Sequence, residues 1–424
     1  MVKNYILIAC LFVAVVGNAQ IINFPDPAFK AKLLTSSSTI SPVGYDANGN
    51  YIVIDANNDG EIQESEALLV YRMVLDANPG EITDVTGIAY FENLTALAIY
   101  DNPLTSLDVS MLTNLKALTA TETNTPTILL NDQLEILNCS WGILSTLDIS
   151  HCPNLKSISC QNNNIEVLDA SSLTQLVDLR CSNNQIAVLD ISNSPLLQTL
   201  ECSNNMISEL DVSGKSFLNW LYCDGNQITS LDLTGTGRPD QPWVWFFLNA
   251  ANNNLSTLDI SVMSDKYVIA DVSNNPNLTS INACNDIEFF DAIWQEPPLP
   301  GPSLYFQGTP NLTSVSVYPM NAAYVQDKIT LYGYTNVTVS TSCTLGAADP
   351  EFKKIALYPN PVKQTLFIEG DFSGKVSVFN MLGQLMMTQV AGANTLDVSA
   401  LASGNYVLRL EAAHGTTTAR FIKE

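Results

Sequence analysis

The sequence predicts a β-rich solenoid, a coil whose turns stack into a parallel sheet, with a small cap ahead of it and a compact β unit behind it. Three observations carry this expectation. Cys139, Cys160, Cys181, Cys202 and Cys223 recur every 21 residues inside a repeated frame of leucines. An acidic twelve-residue segment, Asp55 to Glu66, precedes the repeats. From Ile355 the period is gone and short alternating strands replace it. The expected division is a leader at 1–19, a cap at 20–92, the solenoid at 93–345 and the terminal unit at 350–424.

Around each cysteine stands L-x-x-[LI]-x-C-x-x-[NG]-x-[IL]-x-x-L-D. One turn reads Leu176, Leu179, Cys181, Asn184, Ile186, Leu189, Asp190, and the next reads Leu197, Leu200, Cys202, Asn205, Ile207, Leu210, Asp211. An earlier turn fits at Leu94, Leu97, Ile99, Asn102, Leu104 and Leu107, and a later one at Trp245, Leu248, Ala250, Asn253, Leu255 and Leu258. In L-x-C, alternate side chains of a short strand point to opposite sides, so leucine and cysteine face inward. Turns stacked about 4.8 Å apart then share a core that no single turn possesses. The pattern resembles the leucine-rich-repeat family, and most of all the short repeats of bacterial surface proteins such as the internalins. That resemblance implies a leucine-rich-repeat solenoid with its parallel sheet on the concave side, and a role in protein binding or adhesion.

Three columns of side chains need a role. The asparagines at 163, 184, 205, 226 and 253 stand where the chain leaves the strand, where a buried amide can bond backbone groups that the turn leaves unpaired. The aspartates at 148, 169, 190, 211, 232 and 259, mostly followed two residues later by Ser or Thr, read as turn residues bonding local N–H groups. Catalytic carboxylates need contrasting environments, whereas a ladder gives every member the same one. The five cysteines occupy slots that other turns fill with Ile99 or Ala250, so they read as free buried thiols; in-register parallel neighbours are poorly aimed for disulfides. The pattern is interrupted at Thr121 to Pro126, at an insertion carrying Gly235, Gly237, Pro239 and Pro242, and at Glu296 to Pro302, and weaker turns appear at Leu278 to Ile281 and Leu312 to Val315.

The formal net charge of −24 makes nucleic acid and anionic membrane poor partners. The excess is localised: residues 20–348 carry ten basic and thirty-five acidic side chains, against seven of each from Asp349 onward. Lys3, the apolar run Tyr5 to Val16 and Gly17-Asn18-Ala19 read as a secretory signal, with Gln20 as the mature terminus. Leu7-Ile8-Ala9-Cys10 is a faint lipoprotein-like box, but apolar residues continue past the cysteine. The twelve-residue run is too short to span a membrane, and no transmembrane segment is expected in the mature chain.

Asp55-Ala56-Asn57-Asn58-Asp59-Gly60-Glu61-Ile62-Gln63-Glu64-Ser65-Glu66 resembles the EF-hand calcium loop. The resemblance implies structural Ca2+ held by Asp55, Asn57, Asp59, the carbonyl of Glu61, Gln63 and a bidentate Glu66, with Gly60 at the sharp turn. One departure is Tyr51 to Ile54 ahead of the loop, which reads as a strand, not an entering helix. Asp26-Pro27 reads as a helix start.

In the terminal unit the strands expected at Thr365 to Glu369, Lys375 to Asn380, Gln384 to Gln389, Asn405 to Glu411 and Thr417 to Ile422 predict a small β-sandwich. Tyr358-Pro359-Asn360-Pro361, Val378 to Gly383, Leu396 to Ser399, Gly404-Asn405-Tyr406 and Phe421-Ile422-Lys423 are similar to the C-terminal sorting domain of the type IX secretion system. The final Glu424 departs from the lysine that many relatives carry. That resemblance implies a Bacteroidota origin, handling by the type IX machinery, and release or surface attachment.

Outward positions on the strands carry the variable chemistry: Asp178, Arg180, Glu201, Trp220, Tyr222, Asp224 and Phe247. Exposed aromatics beside mixed charge suit recognition of a protein, and with Trp243 and Trp245 they also suit stacking on a glycan. An enzyme is disfavoured, because the two histidines, His151 and His414, fall on a repeat turn and in the tail, and no nucleophile–base pair or phosphate loop is visible.

Overall fold

The computed structural model describes residues 20–39, 43–76, 82–237, 244–263, 266–290, 301–343, 356–369, 374–380, 385–390, 395–412 and 415–424. The signal sequence, Pro239, Pro242, Trp243, most of the Glu296 to Pro302 loop, Gly383 and His414 lie outside the described residues. The chain forms two compact units, one ending at Cys343 and one beginning at Thr344.

The first unit is the β-solenoid. Its main sheet has thirteen strands: β1 Gly44–Tyr45, β2 Tyr51–Ile52, β3 Arg72–Leu75, β4 Ala96–Tyr100, β5 Ala117–Thr121, β6 Ile136–Asn138, β7 Ser157–Ser159, β8 Asp178–Arg180, β9 Thr199–Glu201, β10 Trp220–Tyr222, β11 Trp245–Asn249, β12 Tyr267–Asp271 and β13 Ser303–Tyr305. From β3 to β13 every neighbour is parallel and the repeat leucines stay in register, as Leu179 opposite Leu200 and Leu200 opposite Leu221. The antiparallel pairs β1–β2 and β1–β3 begin the sheet. The parallel register reaches back into the stretch expected to be pure cap, with Met73 opposite Leu97 and Leu75 opposite Ile99. On other sides of the coil run a four-stranded parallel sheet, Thr257–Asp259, Ser280–Ala283, Ser314–Val317 and Thr338–Ser340, and two parallel pairs.

The asparagine column is a hydrogen-bonded ladder. Asn205 donates to the carbonyls of Cys181, Cys202 and Ser203 at 3.1, 3.0 and 3.2 Å and accepts from Ile186 N at 3.0 Å, so one amide stitches two turns. Asn163, Asn184, Asn226 and Asn253 repeat the arrangement. The stretch from Thr121 to Pro126 is no break in the coil, since Thr123 stands in the asparagine place and its hydroxyl donates to Ala120 O at 3.4 Å. At Gly142 the column lacks a side chain, and a Cβ there would meet Asn163 Oδ1 at 2.8 Å unless that amide shifted.

The aspartates bond locally: Asp148 accepts from Ser150 N at 3.0 Å, and Asp169, Asp190, Asp211, Asp232 and Asp259 likewise accept from the backbone N–H two residues on, with a serine hydroxyl added at Asp148, Asp211 and Asp259. All members thus share the same local turn bond, to which Asp259 adds a bond from Asn282 Nδ2 at 3.2 Å.

The repeat cysteines are fully buried and free, together with Cys152. Burial pushes the thiol of Cys160 up to about 12 and that of Cys152 up to about 11. Thiolate is the reactive form, so these groups are inert in the folded chain. Cys284 and Cys343 form a disulfide, which the 21-residue pattern gave no means of foreseeing because neither lies in the cysteine column. Thiol titration of the denatured, unreduced protein lacking residues 1–19 should therefore find six free thiols, and the native protein almost none; eight would exclude the disulfide.

Both ends of the coil are closed. At the first, helix α1, Pro27–Leu34, buries Phe29 and Leu33 in the same core as the repeat leucines. At the other, a helix that the sequence reading did not anticipate, Ala322–Leu331, buries Val325 and Ile329, and the Tyr324 hydroxyl accepts from Leu304 N of β13 at 3.3 Å. The sheet edge is thereby covered.

The second unit has two antiparallel sheets. One holds Ala356–Tyr358, Thr365–Glu369 and Thr395–Asp397; the other holds Leu385–Val390, Gly374–Asn380, Gly404–Ala412 and Gly415–Lys423. Leu366, Leu396 and Val362 meet Val378, Leu408 and Phe421 in one buried cluster. Asn360 accepts from Ile422 N at 2.8 Å, Tyr358 stacks on Phe367, and the ring of Tyr406 lies on Phe421 while its hydroxyl donates to Ala402 O. Tyr358, Asn360 and Tyr406 are therefore packing and pairing residues; Pro359 and Pro361 both follow cis peptide bonds, and Gly404 opens its strand opposite Lys423.

Candidate functional site

Because side chains alternate along a strand, the thirteen-stranded sheet presents outward rows at fixed register. One row runs Ala117, Ile136, Ser157, Asp178, Thr199, Trp220, Phe247, Ile269 and Ser303. The next runs Thr119, Asn138, Ser159, Arg180, Glu201, Tyr222, Asn249, Asp271 and Tyr305. Up to β9 these rows carry small or polar residues, Ile136 and the Arg180 group, and no aromatic ring; Trp220, Tyr222, Phe247 and Tyr305 all come from β10 onward.

The aromatic part is continuous. Trp220 and Phe247 lie parallel with centroids 6.1 Å apart, Phe247 and Trp245 follow at 6.0 Å, and Trp245 and Tyr267 at 5.0 Å. Trp220 is 38% exposed and the other three rings are half-buried. The strand lengths produce this run. β11 and β12 have five residues where β7 to β10 have three, so each adds one more outward position, Trp245 and Tyr267, in register with each other. This corrects the turn fitted from sequence with Trp245 in a core slot. Phe246 is the buried residue of that pair, and Trp245 points outward on a strand, not in a loop, because strand alternation continues two residues further than in the regular turns.

The charged residues gather beside the rings. The Arg180 guanidinium donates from Nε to both Asp178 oxygens at 3.1 and 3.2 Å and lies 3.3 Å from Glu201. Asp224 accepts from the Ser203 hydroxyl at 2.5 Å, and Asp271 accepts from Ser273 N at 2.9 Å. Burial, with the nearby Glu201 carboxylate, raises the Tyr222 phenol. The seven outward residues chosen from sequence thus lie on one face of four consecutive strands and the turn after β10. Tyr267 and Asp271 were missed as members, and Trp245 was named only for the glycan alternative; the signal available was the strict alternation in Trp245 to Asn249 and Tyr267 to Asp271.

The acidic loop is a second candidate. A two-residue strand, β2, stands shortly before it and a single helical turn, Glu64–Ala67, leaves it. Glu66 accepts from Ala56 N at 2.8 Å, Asn57 N at 3.2 Å and Gln63 N at 3.0 Å; Asp55 accepts from Asp59 N and Gly60 N at 3.1 and 3.0 Å. Gly60 has φ +80°, the left-handed conformation that the sharp turn requires. The oxygen donors of Asp55, Asn57, Asp59, Gln63 and Glu66 thus belong to one self-bonded loop, a donor set suited to a hard cation. The amide groups of Asn57 and Gln63 donate to the Asp59 carboxylate at 2.9 and 3.1 Å and stabilise its charged form. Among the described residues no three His, Cys, Asp or Glu side chains are placed to hold a metal by themselves, so any ion would depend on the amide and carbonyl oxygens as well.

Residues 356–424 match the family model described as secretion system C-terminal sorting domain, and a sorting domain of this kind is present at the C-terminal end. Curated proteins include no match to the chain. Among solved structures, the functional domain of InlJ from Listeria monocytogenes, whose description notes a cysteine ladder, is 18% identical over 86% of this chain and 93% of its own, with a TM-score of 0.39. Internalin C2 from the same species is 22% identical over 50% of this chain and 92% of its own, at 0.36. YopM from Yersinia enterocolitica is 19% identical over 58% and 68%, at 0.32. The solenoid itself rests on the strand registers above. No helix among the described residues is long and apolar enough to cross a membrane.

Proposed function

We propose that this chain is an exported, surface or secreted binding protein that engages a protein partner on the outward face of its main sheet, centred on the aromatic run. The observation that carries this reading is the continuous stack Trp220–Phe247–Trp245–Tyr267 on the outward face of the sheet. Large rigid rings of this kind act as binding hot spots when a partner desolvates them. They also bear on the glycan alternative. The rings face one another across 5.0 to 6.1 Å, which leaves no room for a sugar between them and turns their edges outward. Side-chain packing of a protein fits that geometry better.

The test is capture of a partner from the producing organism's own surface fraction by the mature chain and by a Trp220→Ala/Phe247→Ala variant. Affinity should fall by about 30-fold or more in the variant, with its melting temperature little changed. A partner held equally by both would move the site elsewhere, and binding confined to a glycan array would favour the alternative.

Export follows, in this reading, from a cleaved leader at 1–19 and handling of the terminal unit by type IX machinery, with adhesion as one use of the exposed face. Deletion of residues 350–424 should leave the protein in the periplasm, and undisturbed export would exclude it. The loop from Asp55 to Glu66 is proposed to hold structural calcium that stiffens the cap. With an extracellular affinity of about 0.1 to 1 mM, 10 mM calcium should stabilise the fold by about 1.4 to 2.7 kcal/mol. Glu66→Gln should abolish that gain, and a melting temperature insensitive to calcium and to chelator would remove the ion from the account.

A further inference from the structure

We propose that the partner presents a basic polypeptide segment, with arginine or lysine side chains lying among apolar ones; this rests on the reading that the face binds protein. Around the aromatic run the strands set out four carboxylates, Asp178, Glu201, Asp224 and Asp271. Among the described outward residues of β8 to β13 and the turns that follow them, Arg180 is the one cation, and Asp178 and Glu201 already engage it. Asp224 and Asp271 are half-buried, and among the described residues their bonds come from a serine hydroxyl and a backbone N–H, not from a cation. Each retains acceptor capacity beside a ring.

An aromatic surface with adjacent carboxylates recognises cations in two ways at once, through the ring quadrupole and through charge-assisted hydrogen bonds. The ring contact has an instance at the far end of the sheet. The Lys328 ammonium stands 4.9 Å from the centroid of Tyr305, the last outward aromatic of the sheet, and 5.2 Å from that of Tyr324. The remainder of the body adds a long-range field, with thirty-five acidic against ten basic residues between positions 20 and 348. Such a field accelerates encounter with a positive partner and repels nucleic acid, anionic lipid and acidic protein.

The test uses the mature full-length chain and three short peptides of equal length on one Leu/Gly frame, carrying Arg, Gln or Glu. The Arg peptide should bind, more weakly as salt rises, and the other two should not. Asp224→Asn/Asp271→Asn should weaken it by about tenfold or more. Asp148→Asn/Asp169→Asn, an equal loss of charge on the aspartate column, should change it by less than about twofold. Equal losses in the two double variants would reduce the effect to bulk attraction, and equal binding of all three peptides would exclude charge recognition; each overturns the proposal. If Trp220→Ala releases the captured surface partner while Asp224→Asn/Asp271→Asn retains it, the binding face stands and the basic partner falls. If neither variant alters capture, both fall.

Discussion

Replacing Asn205 by leucine is expected to destabilise the coil by about 3 to 5 kcal/mol, although the two side chains are close in size and leucine is the more apolar. The amide is buried and serves two neighbouring turns at once, through Cys181 O, Cys202 O and Ile186 N. Leucine would leave Ile186 N in the core without a partner, at about 1 to 3 kcal/mol, and would take one of two amide bonds from Cys181 O and from Cys202 O, which keep Asn184 and Asn226, at about 1 kcal/mol each; together this is more than its own added burial returns. Urea denaturation should locate the loss. Asn193→Ala, which removes an exposed asparagine bonding Ser171 O, should shift stability by about 0.5 kcal/mol or less. A similar midpoint for Asn205→Leu and the wild type would mean that the ladder is dispensable.

The second large effect is expected at Asp26. Its carboxylate accepts from Ala28 N and Phe29 N at the start of α1, at 2.7 and 3.2 Å, and from Thr83 N, Thr83 Oγ1 and Asp84 N at 2.7, 3.0 and 3.0 Å. It is thus a helix cap and also the fastening between the N-terminal segment and the first turns of the coil. Asp26→Ala should cost about 2 to 4 kcal/mol, the sum of a lost cap and stranded N–H donors.

Acid should have the same effect. Burial pushes the Asp26 pKa up, but the hydrogen bonds from Thr83, Asp84 and Ala28 outweigh it and hold the group below its ordinary 3.8. A carboxyl lowered by folding stabilises above its unfolded pKa and loses that contribution as pH falls through its folded one. The stability gap between wild type and Asp26→Ala should therefore be full near neutrality and narrow below about pH 3.8. A gap constant down to pH 2 would show that the carboxylate charge is irrelevant.

The coil was legible because its code is short-range. The position of Cys181 relative to Leu179 and Asn184 fixes which side chains face inward, since alternation along a strand is a property of the backbone alone. The 21-residue recurrence then fixes the stacking, and the asparagine and aspartate columns acquire their roles from the same repetition. The turn bonds of the acidic loop, from Gly60 N to Asp55 and from Ala56 N to Glu66, are local in the same sense, because they lie within twelve consecutive residues.

Where the period breaks, sequence reading gave way to packing. Trp245 stands three residues before Leu248, like a core leucine, yet it faces outward because β11 extends two residues beyond its shorter neighbours. Pairing with β12 decides that length, and it is pairing that lines up Trp220, Phe247, Trp245 and Tyr267 across 48 positions of sequence. The Cys284–Cys343 bond, the Ala322–Leu331 closure and the neighbourhood of Asp224 and Asp271 likewise join segments that no local spacing relates. The sequence by itself determined the coil and the inward or outward sense of each regular position. Only the tertiary structure decided which outward side chains meet, because register between strands is set by the whole stacked core and not by any one turn.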